Sequence, residues 1–173
     1  AVALVKRLIH SGARNVVFDA DAINILADNP TWLAFLPAGS ILTPHPKEFD
    51  RLAGNSRSGY DRLMKAMELA RKHSVVVILK GAYSAVCHPQ GFVRFNPTGG
   101  PGMAKGGSGD ALTGLLCGLL AQGIDAFNAA LLGTYAHGAA GDLAAQEIGA
   151  DGMLPSDLIE RIPLIWKRIR AEG

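Results

Sequence analysis

Cysteine is scarce in this chain, and charge is sparse. Only Cys87 and Cys117 occur among 173 residues, and they have neither a C-x-x-C spacing nor the framework of a small disulfide-bonded secreted protein. We therefore expect a reducing, cytoplasmic location and two buried, apolar thiols. Charged residues make up 18% of the chain and leave a net charge of +2. The basic residues form no stripe, so we expect no nucleic-acid partner.

Long uninterrupted hydrophobic runs are also missing. The apolar region 111–145 has Gly114 and Gly118 four residues apart, but polar residues interrupt it too often for the ~20 mostly apolar positions of a membrane span. No secretory leader is recognisable in "AVALVKRLIHSG", which predicts an amphipathic helix with Gly12 near its end. The chain is 49% apolar, which predicts one domain over residues 1–173 with a sizeable core.

The order of the remaining patterns predicts an α/β fold. Three β-branched runs, each followed by polar or turn-forming residues, predict strands of a largely parallel sheet at 15–21, 40–46 and 75–81. The stretch "SAVCHPQGFVRFN" predicts an antiparallel hairpin that turns at "HPQG". Helices are expected directly after Asp21 and at 46–53, 59–72, 108–122, 125–148 and 155–170, the last two capped by Asp125 and Ser156.

Polar residues follow each predicted parallel strand, at the sheet edge where ligands of such folds bind. Asp19 and Asp21 follow the first, and a helix cap at Asp21 is as good an interpretation as a site role. His45 in "TPHPKEF" stands at an N-cap with Glu48 three residues on, yet the flanking prolines also direct it toward the strand ends. Lys80 either reaches into solvent or meets a phosphate beside Gly81.

The stretch "GGPGMAKGGSGDALTG" at 99–114 is the strongest signal. Gly106, Gly107 and Gly109 allow successive N–H groups to form an anion-binding concavity before a helix that starts near Ser108. The spacing fits neither a P-loop nor a dinucleotide fingerprint. Asp110 either complements the helix dipole or accepts a proton from a hydroxyl that attacks a bound phosphate, and the second interpretation is favoured because a carboxylate beside an anion site hinders simple binding.

Four motifs in order resemble one family: "DADAIN", "TPHPKEF", "LKGAYS" and "NPTGGPGMAKGGSGDALTG". They are similar to those of the ADP- or ATP-dependent NAD(P)H-hydrate dehydratases, carbohydrate-kinase-like repair enzymes related to ribokinase, over about residues 16–145. The resemblance implies a ribokinase-like three-layer α/β/α fold with a mostly parallel sheet and an antiparallel hairpin. It also implies an enzyme that uses a nucleotide to restore NADH or NADPH from the C6-hydrated nicotinamide.

The same resemblance implies roles for individual residues. His45 and the catalytic Asp110 match positions that contact the hydrated cofactor, and we add Asp21 to this substrate site. ADP or ATP would be the phosphoryl donor, with Mg²⁺ beside it and no metal site made by the protein alone. The nucleotide-binding residues expected from the matching motifs and the glycine concavity are Lys80, Gly81, Ala82, Tyr83, Ser84, Gly107, Ser108 and Gly109.

Two departures and two alternatives accompany this hypothesis. Gly100 stands where the family commonly has Asn, and the family domain has about a hundred further residues before the matching part, so we expect a partial domain of a longer chain. There are two alternatives. One is a small-molecule alcohol kinase of the same superfamily, of the hydroxymethylpyrimidine or thiazole type, and the other is a catalytically silent nucleotide-binding module.

We expect a homo-oligomer, although core packing explains the small residues of helix 125–148 better than an interface does. Tyr135 and His137 are expected in the core.

Overall fold

The computed structural model describes residues 1–172 and folds them into seven α-helices and five β-strands in α/β order. Short 3₁₀ helices lie at Pro30–Phe35 and Pro101–Met103. The helices are α1 (Val2–His10), α2 (Asp21–Asp28), α3 (Pro46–Ala53), α4 (Gly59–His73), α5 (Ser108–Ala121), α6 (Ala126–Ile148) and α7 (Pro155–Glu172). The strands are β1 (Val17–Phe18), β2 (Ile41–Leu42), β3 (Val76–Leu79), β4 (Ala85–Cys87) and β5 (Val93–Phe95).

The strands form one sheet in the order β1-β2-β3-β4-β5. The first three are parallel, with Val17 opposite Ile41 and Ile41 opposite Val76. The last two add antiparallel pairs, joined by a turn in which the Gly91 N–H donates to the His88 carbonyl at 2.9 Å. The predicted parallel strands and hairpin are confirmed, although each parallel strand is shorter than its predicted span because the polar and turn-forming residues at its ends lie outside the ladder.

Helices cover both faces of this sheet. Successive side chains of a strand point to opposite faces, so β1 to β4 each contribute to two separate apolar layers. Leu42, Val77 and Cys87 pack with α1–α4 on one face. Ile41, Val76, Ile78 and Val86 pack with α5 and α6 on the other. A further cluster joins α6 to α7. The predicted three-layer α/β/α architecture is therefore confirmed.

Two helix starts test the predicted caps. Asp125 caps α6 as predicted, because its Oδ1 accepts hydrogen bonds from the N–H groups of Phe127 at 3.1 Å and Asn128 at 3.0 Å. The cap interpretation of Asp21 is wrong. Helix α2 begins at Asp21 itself, its N-cap is Ala20, and no side chain caps this start. Asp21 is exposed in the first helical turn, where a carboxylate complements the helix dipole.

The predicted cap at Ser156 is also wrong. Helix α7 begins one residue earlier, at Pro155, whose fixed φ suits the first helical position. Asp157 stabilises the first turn of α7 instead, since its carboxylate accepts a hydrogen bond from the Leu154 N–H at 2.6 Å.

Small residues on α6 allow close packing within the chain. A Cβ at Gly133 would lie 2.7 Å from Leu116 Cδ2 of α5. A Cβ at Gly141 would lie 2.6 Å from Met103 Cγ, so the glycine-rich segment after β5 rests directly on this helix. The favoured interpretation of these residues as internal packing is confirmed. No helix within residues 1–172 is long and apolar enough to cross a membrane.

Two of the four residues assigned to the core lie elsewhere. Cys87 is buried, as expected, and burial raises the pKa of its thiol to about 12. His137 is also buried. Cys117 is exposed, because it lies on the side of α5 away from the buried leucines of that helix. Tyr135 is 41% exposed, beside an open groove rather than inside the core. Both core assignments were wrong.

Replacement of Gly138 by alanine tests the close packing on α6. The added Cβ would lie 2.6 Å from the carbonyl carbon of Thr98 and collide with its hydroxyl, so we expect Gly138→Ala to lower the free energy of unfolding by about 1–3 kcal/mol. Gly118→Ala is the matched control: its Cβ would meet nothing within 4 Å, and it should stabilise α5 by about 0.5–1 kcal/mol. Urea unfolding measures both, and equal stability of the two variants would contradict this packing.

The pair Asp50–Arg62, which joins α3 to α4, gives a pH prediction. The Arg62 guanidinium donates to the Asp50 carboxylate at 2.9 and 2.7 Å and, with Ser56, holds the pKa of Asp50 at about 2 against an ordinary 3.8. Because the pKa of Asp50 is lower in the folded than in the unfolded protein, its carboxylate stabilises the fold at pH values above the unfolded pKa. This contribution is lost as the pH falls through the folded pKa of about 2. In Arg62→Met we expect the Asp50 pKa, measured by carboxyl NMR, to rise toward the ordinary value. An unchanged pKa would show that the guanidinium does not lower it.

Candidate active site

The ends of the three parallel strands meet at one edge of the sheet. The Thr43 N–H donates to the Phe18 carbonyl at 3.1 Å, and the Lys80 N–H donates to the Pro44 carbonyl at 3.0 Å. These bonds continue the sheet pairing just beyond the strands. They place Asp19, the "TPHP" segment and Lys80 side by side, as the strand-end argument predicts.

An ion pair occupies this edge. Lys80 Nζ lies 2.8 Å from Asp19 Oδ1, and the Thr113 hydroxyl of α5 donates to Asp19 Oδ2 at 3.0 Å. Burial alone would raise the pKa of Asp19, but the hydrogen bond and charge of Lys80, with the bond from Thr113, lower it. Asp19 is therefore a carboxylate that orients the lysine. Sequence reasoning noted both residues without pairing them, although opposite charges at the ends of β1 and β3 were the available signal.

His45 forms the cap that its position predicts. Its Nδ1 accepts hydrogen bonds from the N–H groups of Lys47 at 3.1 Å and Glu48 at 3.2 Å, and the Glu48 carboxylate accepts one from the His45 N–H at 2.8 Å. Nδ1 thus acts as the acceptor, which assigns the ring proton to Nε2. The side chain remains 48% exposed. The ring is fixed in orientation and still accessible from solvent.

A tight turn starts α5. The Ser108 N–H donates to the Lys105 carbonyl at 3.2 Å, and Gly107 has φ +94° and ψ −17°, the values of the third residue in a type II turn. A side chain at Gly107 would be strained in this conformation. Within residues 1–172 the N–H groups of Gly106, Gly107, Gly109 and Asp110 have no hydrogen-bond acceptor. Four backbone donors are therefore free at a helix N-terminus.

The turn lies beside the ion pair. A Cβ at Gly109 would lie 3.5 Å from Asp19 Oδ2 and 3.7 Å from Lys80 Nζ, which are ordinary contact distances, so the backbone at the start of α5 lies directly against the ion pair. Asp110 follows in the first turn of α5, exposed, and its carboxylate has no hydrogen-bond partner among the described residues. Free N–H groups, the Lys80 ammonium beside Gly109 and the unpaired carboxylate of Asp110 therefore all occur at the start of α5.

Ser108 faces the core rather than the solvent. The buried His137 ring lies with Nε2 2.9 Å from the Ser108 carbonyl and 3.4 Å from its hydroxyl. Burial lowers the pKa of His137, which keeps the ring neutral near pH 7 with Nε2 donating to that carbonyl. Since the Ser108 N–H is used within the turn, Gly107 and Gly109 supply the donors of this segment. His137 fixes the last residue of the turn.

The segment after Lys80 borders the same edge. Gly81, Ala82 and Tyr83 are exposed, the tyrosine by 71%, and the Ser84 carbonyl accepts a hydrogen bond from the Asn96 N–H at 2.8 Å. From Asn96 an open, mainly apolar groove of about 480 Å³ runs between the hairpin and α6; its lining includes Phe95, Pro97, Leu131, Thr134 and Tyr135. Nothing in the sequence motifs pointed to this groove. Among residues 1–172 no group of three His, Cys, Asp or Glu side chains is placed to hold a metal ion.

Comparison with known proteins agrees with this architecture. The bifunctional NAD(P)H-hydrate repair enzyme Nnr of Moorella thermoacetica is 43% identical over 173 residues, which is 99% of this chain and 33% of that protein. The crystal structure of the ADP/ATP-dependent NAD(P)H-hydrate dehydratase from Bacillus subtilis, co-crystallised with ATP and Mg²⁺, matches with a TM-score of 0.68 and 38% identity over 76% of this chain and 48% of that one. The chain therefore spans about a third to a half of the length of these two proteins.

The fold is shared more widely. A ribokinase-like superfamily protein of Enterococcus faecalis is 22% identical, with a TM-score of 0.74 over 96% of this chain and 58% of that one, and this likeness shows the ribokinase-like fold alone. The model of the NAD(P)H-hydrate dehydratase family matches residues 2–164, nearly the whole chain. With that match and the identity to the repair enzyme, the chain belongs to the NAD(P)H-hydrate dehydratase family.

Proposed function

We propose that this chain acts in the nucleotide-dependent dehydration of NAD(P)H hydrate, the reaction for which its relatives are named. The observation that carries the proposal is the set of free N–H groups at Gly106, Gly107 and Gly109 beside Lys80, followed directly by the free carboxylate of Asp110. Amides and a cation suit a phosphate, whereas a carboxylate beside them suits proton transfer. Phosphoryl transfer to an alcohol needs both.

In the proposed reaction, Asp110 takes the proton from the C6 hydroxyl of the hydrated nicotinamide. The hydroxyl oxygen then attacks the terminal phosphate, which the free amides of the turn hold, and the bond to the rest of the nucleotide breaks. The ring nitrogen next expels the phosphorylated oxygen as inorganic phosphate, and loss of a proton from C5 then forms the C5=C6 double bond of the reduced nicotinamide. The protein contributes orientation and charge stabilisation, because phosphorylation has already made the hydroxyl a good leaving group.

Lys80 supports the proposal as a preoriented cation. Its pairing with Asp19 at 2.8 Å holds the ammonium beside Gly109, and the Thr113 bond fixes the carboxylate from the other side. A cation held in place before the reaction stabilises developing negative charge without reorganisation. His45, half exposed at the same edge, and Asp21 are proposed to contact the hydrated cofactor.

The nucleotide and Mg²⁺ are proposed on the basis of the Bacillus subtilis relative, crystallised with both. Mg²⁺ usually keeps several waters and binds substrate phosphates with few protein carboxylates. Among residues 1–172 the half-buried strand-end carboxylate of Asp19 is already paired with Lys80, so phosphate oxygens and waters would supply most ligands of the ion. When bound, the ion would neutralise charge on the phosphates. The apolar groove that begins at Asn96, next to Ser84, is proposed to take the base.

We further propose one carbohydrate-kinase-like domain over residues 1–173, working as a cytoplasmic homo-oligomer on a small-molecule substrate without a nucleic-acid partner. The sheet supports a single domain because its strands contribute to both apolar layers. The net charge of +2 and scattered basic residues support the absence of nucleic acid. Analytical ultracentrifugation of the intact protein measures its oligomeric state.

An alcohol kinase would use the same amides and the same carboxylate, so the products must separate the two reactions. We expect the intact protein, given ADP or ATP with hydrated NADH, to regenerate the absorbance of reduced nicotinamide and to release inorganic phosphate. A stable phosphoester of a hydroxymethylpyrimidine or thiazole alcohol, without nicotinamide recovery, would establish the kinase instead. Nucleotide binding by calorimetry with no turnover of either substrate would establish a silent binding module.

Asp110→Asn tests the proposed base. Asparagine keeps the shape and removes the proton acceptor, so we expect turnover in the NADH-recovery assay to fall by about 10²- to 10⁴-fold while the affinity for nucleotide stays nearly unchanged. Glu68→Gln is the matched control, because it removes one carboxylate from an exposed position on α4. A rate for Asp110→Asn equal to that of the control would remove Asp110 from the chemistry.

A further inference from the structure

The side chain of Lys105 is bound entirely by backbone carbonyl groups. Its Nζ donates to the carbonyl of Ala150 at 3.0 Å, of Asp151 at 2.8 Å and of Met153 at 2.7 Å. An ammonium group has three protons, so each has one acceptor. Hydrogen bonds from a charged donor are shorter and stronger than neutral ones. Lys105 is therefore fully engaged and has no proton left for a ligand.

The three carbonyls belong to the turn between α6 and α7. This turn begins at Gly149, which has φ +93° and whose carbonyl accepts bonds from the N–H groups of Gly152 and Met153. Within residues 1–172 no other donor reaches the carbonyls of Ala150, Asp151 and Met153. The acceptors thus converge on one point that only the Lys105 ammonium occupies.

Lys105 is also the first residue of the turn that starts α5. Its own carbonyl accepts the hydrogen bond from the Ser108 N–H, which closes the turn around Gly106 and Gly107. Glycines lose more conformational freedom on ordering than other residues, so this turn needs fixed ends. The His137 ring holds the Ser108 end, and the Lys105 ammonium holds the other.

We propose that Lys105 is a positioning residue for the phosphate-binding turn, fixing the free amides of Gly106 and Gly107 by joining their turn to residues 150–153. The inference rests on the proposed function, because positioning is relevant only if those amides bind phosphate. Lys105 acts through the backbone and does not touch the nucleotide. Its loss should therefore weaken nucleotide binding without removing any direct contact.

Lys65 provides a matched control. Its Nζ also donates to backbone carbonyls, of Gly54 at 3.4 Å and Asn55 at 2.7 Å, but these connect α3 to α4, on the other face of the sheet from α5. Lys65→Met and Lys105→Met both remove an ammonium group bound to backbone carbonyls, and Lys65→Met also removes an ion pair with Asp61 at 3.6 Å within α4. Only Lys105→Met releases the turn at the start of α5.

The experiment compares the intact wild-type protein with both variants by ADP calorimetry, steady-state kinetics and thermal unfolding. We expect Lys105→Met to bind ADP at least about tenfold more weakly and to raise the nucleotide KM more than it lowers kcat, while Lys65→Met changes neither. Ammonium chloride should partly restore ADP affinity and raise the melting temperature of Lys105→Met alone, because a free ammonium ion fits the three carbonyls. Choline chloride at equal ionic strength, whose cation is too large, should do neither.

The outcomes separate this inference from the proposed function. Equal ADP affinity in Lys105→Met and Lys65→Met, with no specific ammonium effect, would overturn the role of Lys105. Absence of ADP binding by the wild type would overturn the proposed function, and the positioning role with it, whatever the melting temperatures show. If Lys105→Met does not fold, Lys105→Gln, which keeps two donors on a shorter side chain, is compared with Lys65→Gln; a weaker ADP affinity in Lys105→Gln supports the inference, and equal affinities overturn it.

Discussion

Backbone N–H groups without acceptors, at the start of α5, are the feature on which the rest of this account depends. Every helix start leaves N–H groups without a partner inside the helix, and here those of Gly106, Gly107, Gly109 and Asp110 have no acceptor among residues 1–172. Gly109 lies beside a lysine that is paired with the half-buried carboxylate of Asp19, and the unpaired Asp110 follows it in the chain. The donors and the lysine favour an anion, and the proposed role of the aspartate is to take a proton from the hydroxyl that attacks that anion.

The surrounding fold serves to hold this turn still. Lys105 joins its first residue to the α6–α7 turn, and the neutral ring of His137 binds its last. Glycines on α6 let the preceding segment lie directly on that helix, so that Gly138 meets Thr98 where any side chain would collide. Glycines in the turn at 106–107 leave its N–H groups exposed. The hydrogen bonds at Lys105 and Ser108 fix the orientation of those groups.

Local patterns in the sequence predicted most of the fold, but they did not predict the contacts between segments that are far apart in the chain. The caps at His45 and Asp125 follow from residues within one helical turn, so they were predictable. The ion pair Asp19–Lys80 and the carbonyl ligands of Lys105 join residues 61 and at least 45 positions apart, and no periodicity records such distances. The exposure of Cys117 likewise depends on which side of α5 faces the sheet, which its weakly patterned sequence does not show.

The most direct test of the central claim is a titration of the isotopically labelled protein with ADP, followed by the backbone amide resonances. We expect the largest shifts at Gly106, Gly107 and Gly109, and we expect adenosine, which lacks phosphate, to leave these three resonances in place. Tight ADP binding that shifts other amides and not these would contradict it, because the donors that the fold keeps free would then have no part in holding phosphate.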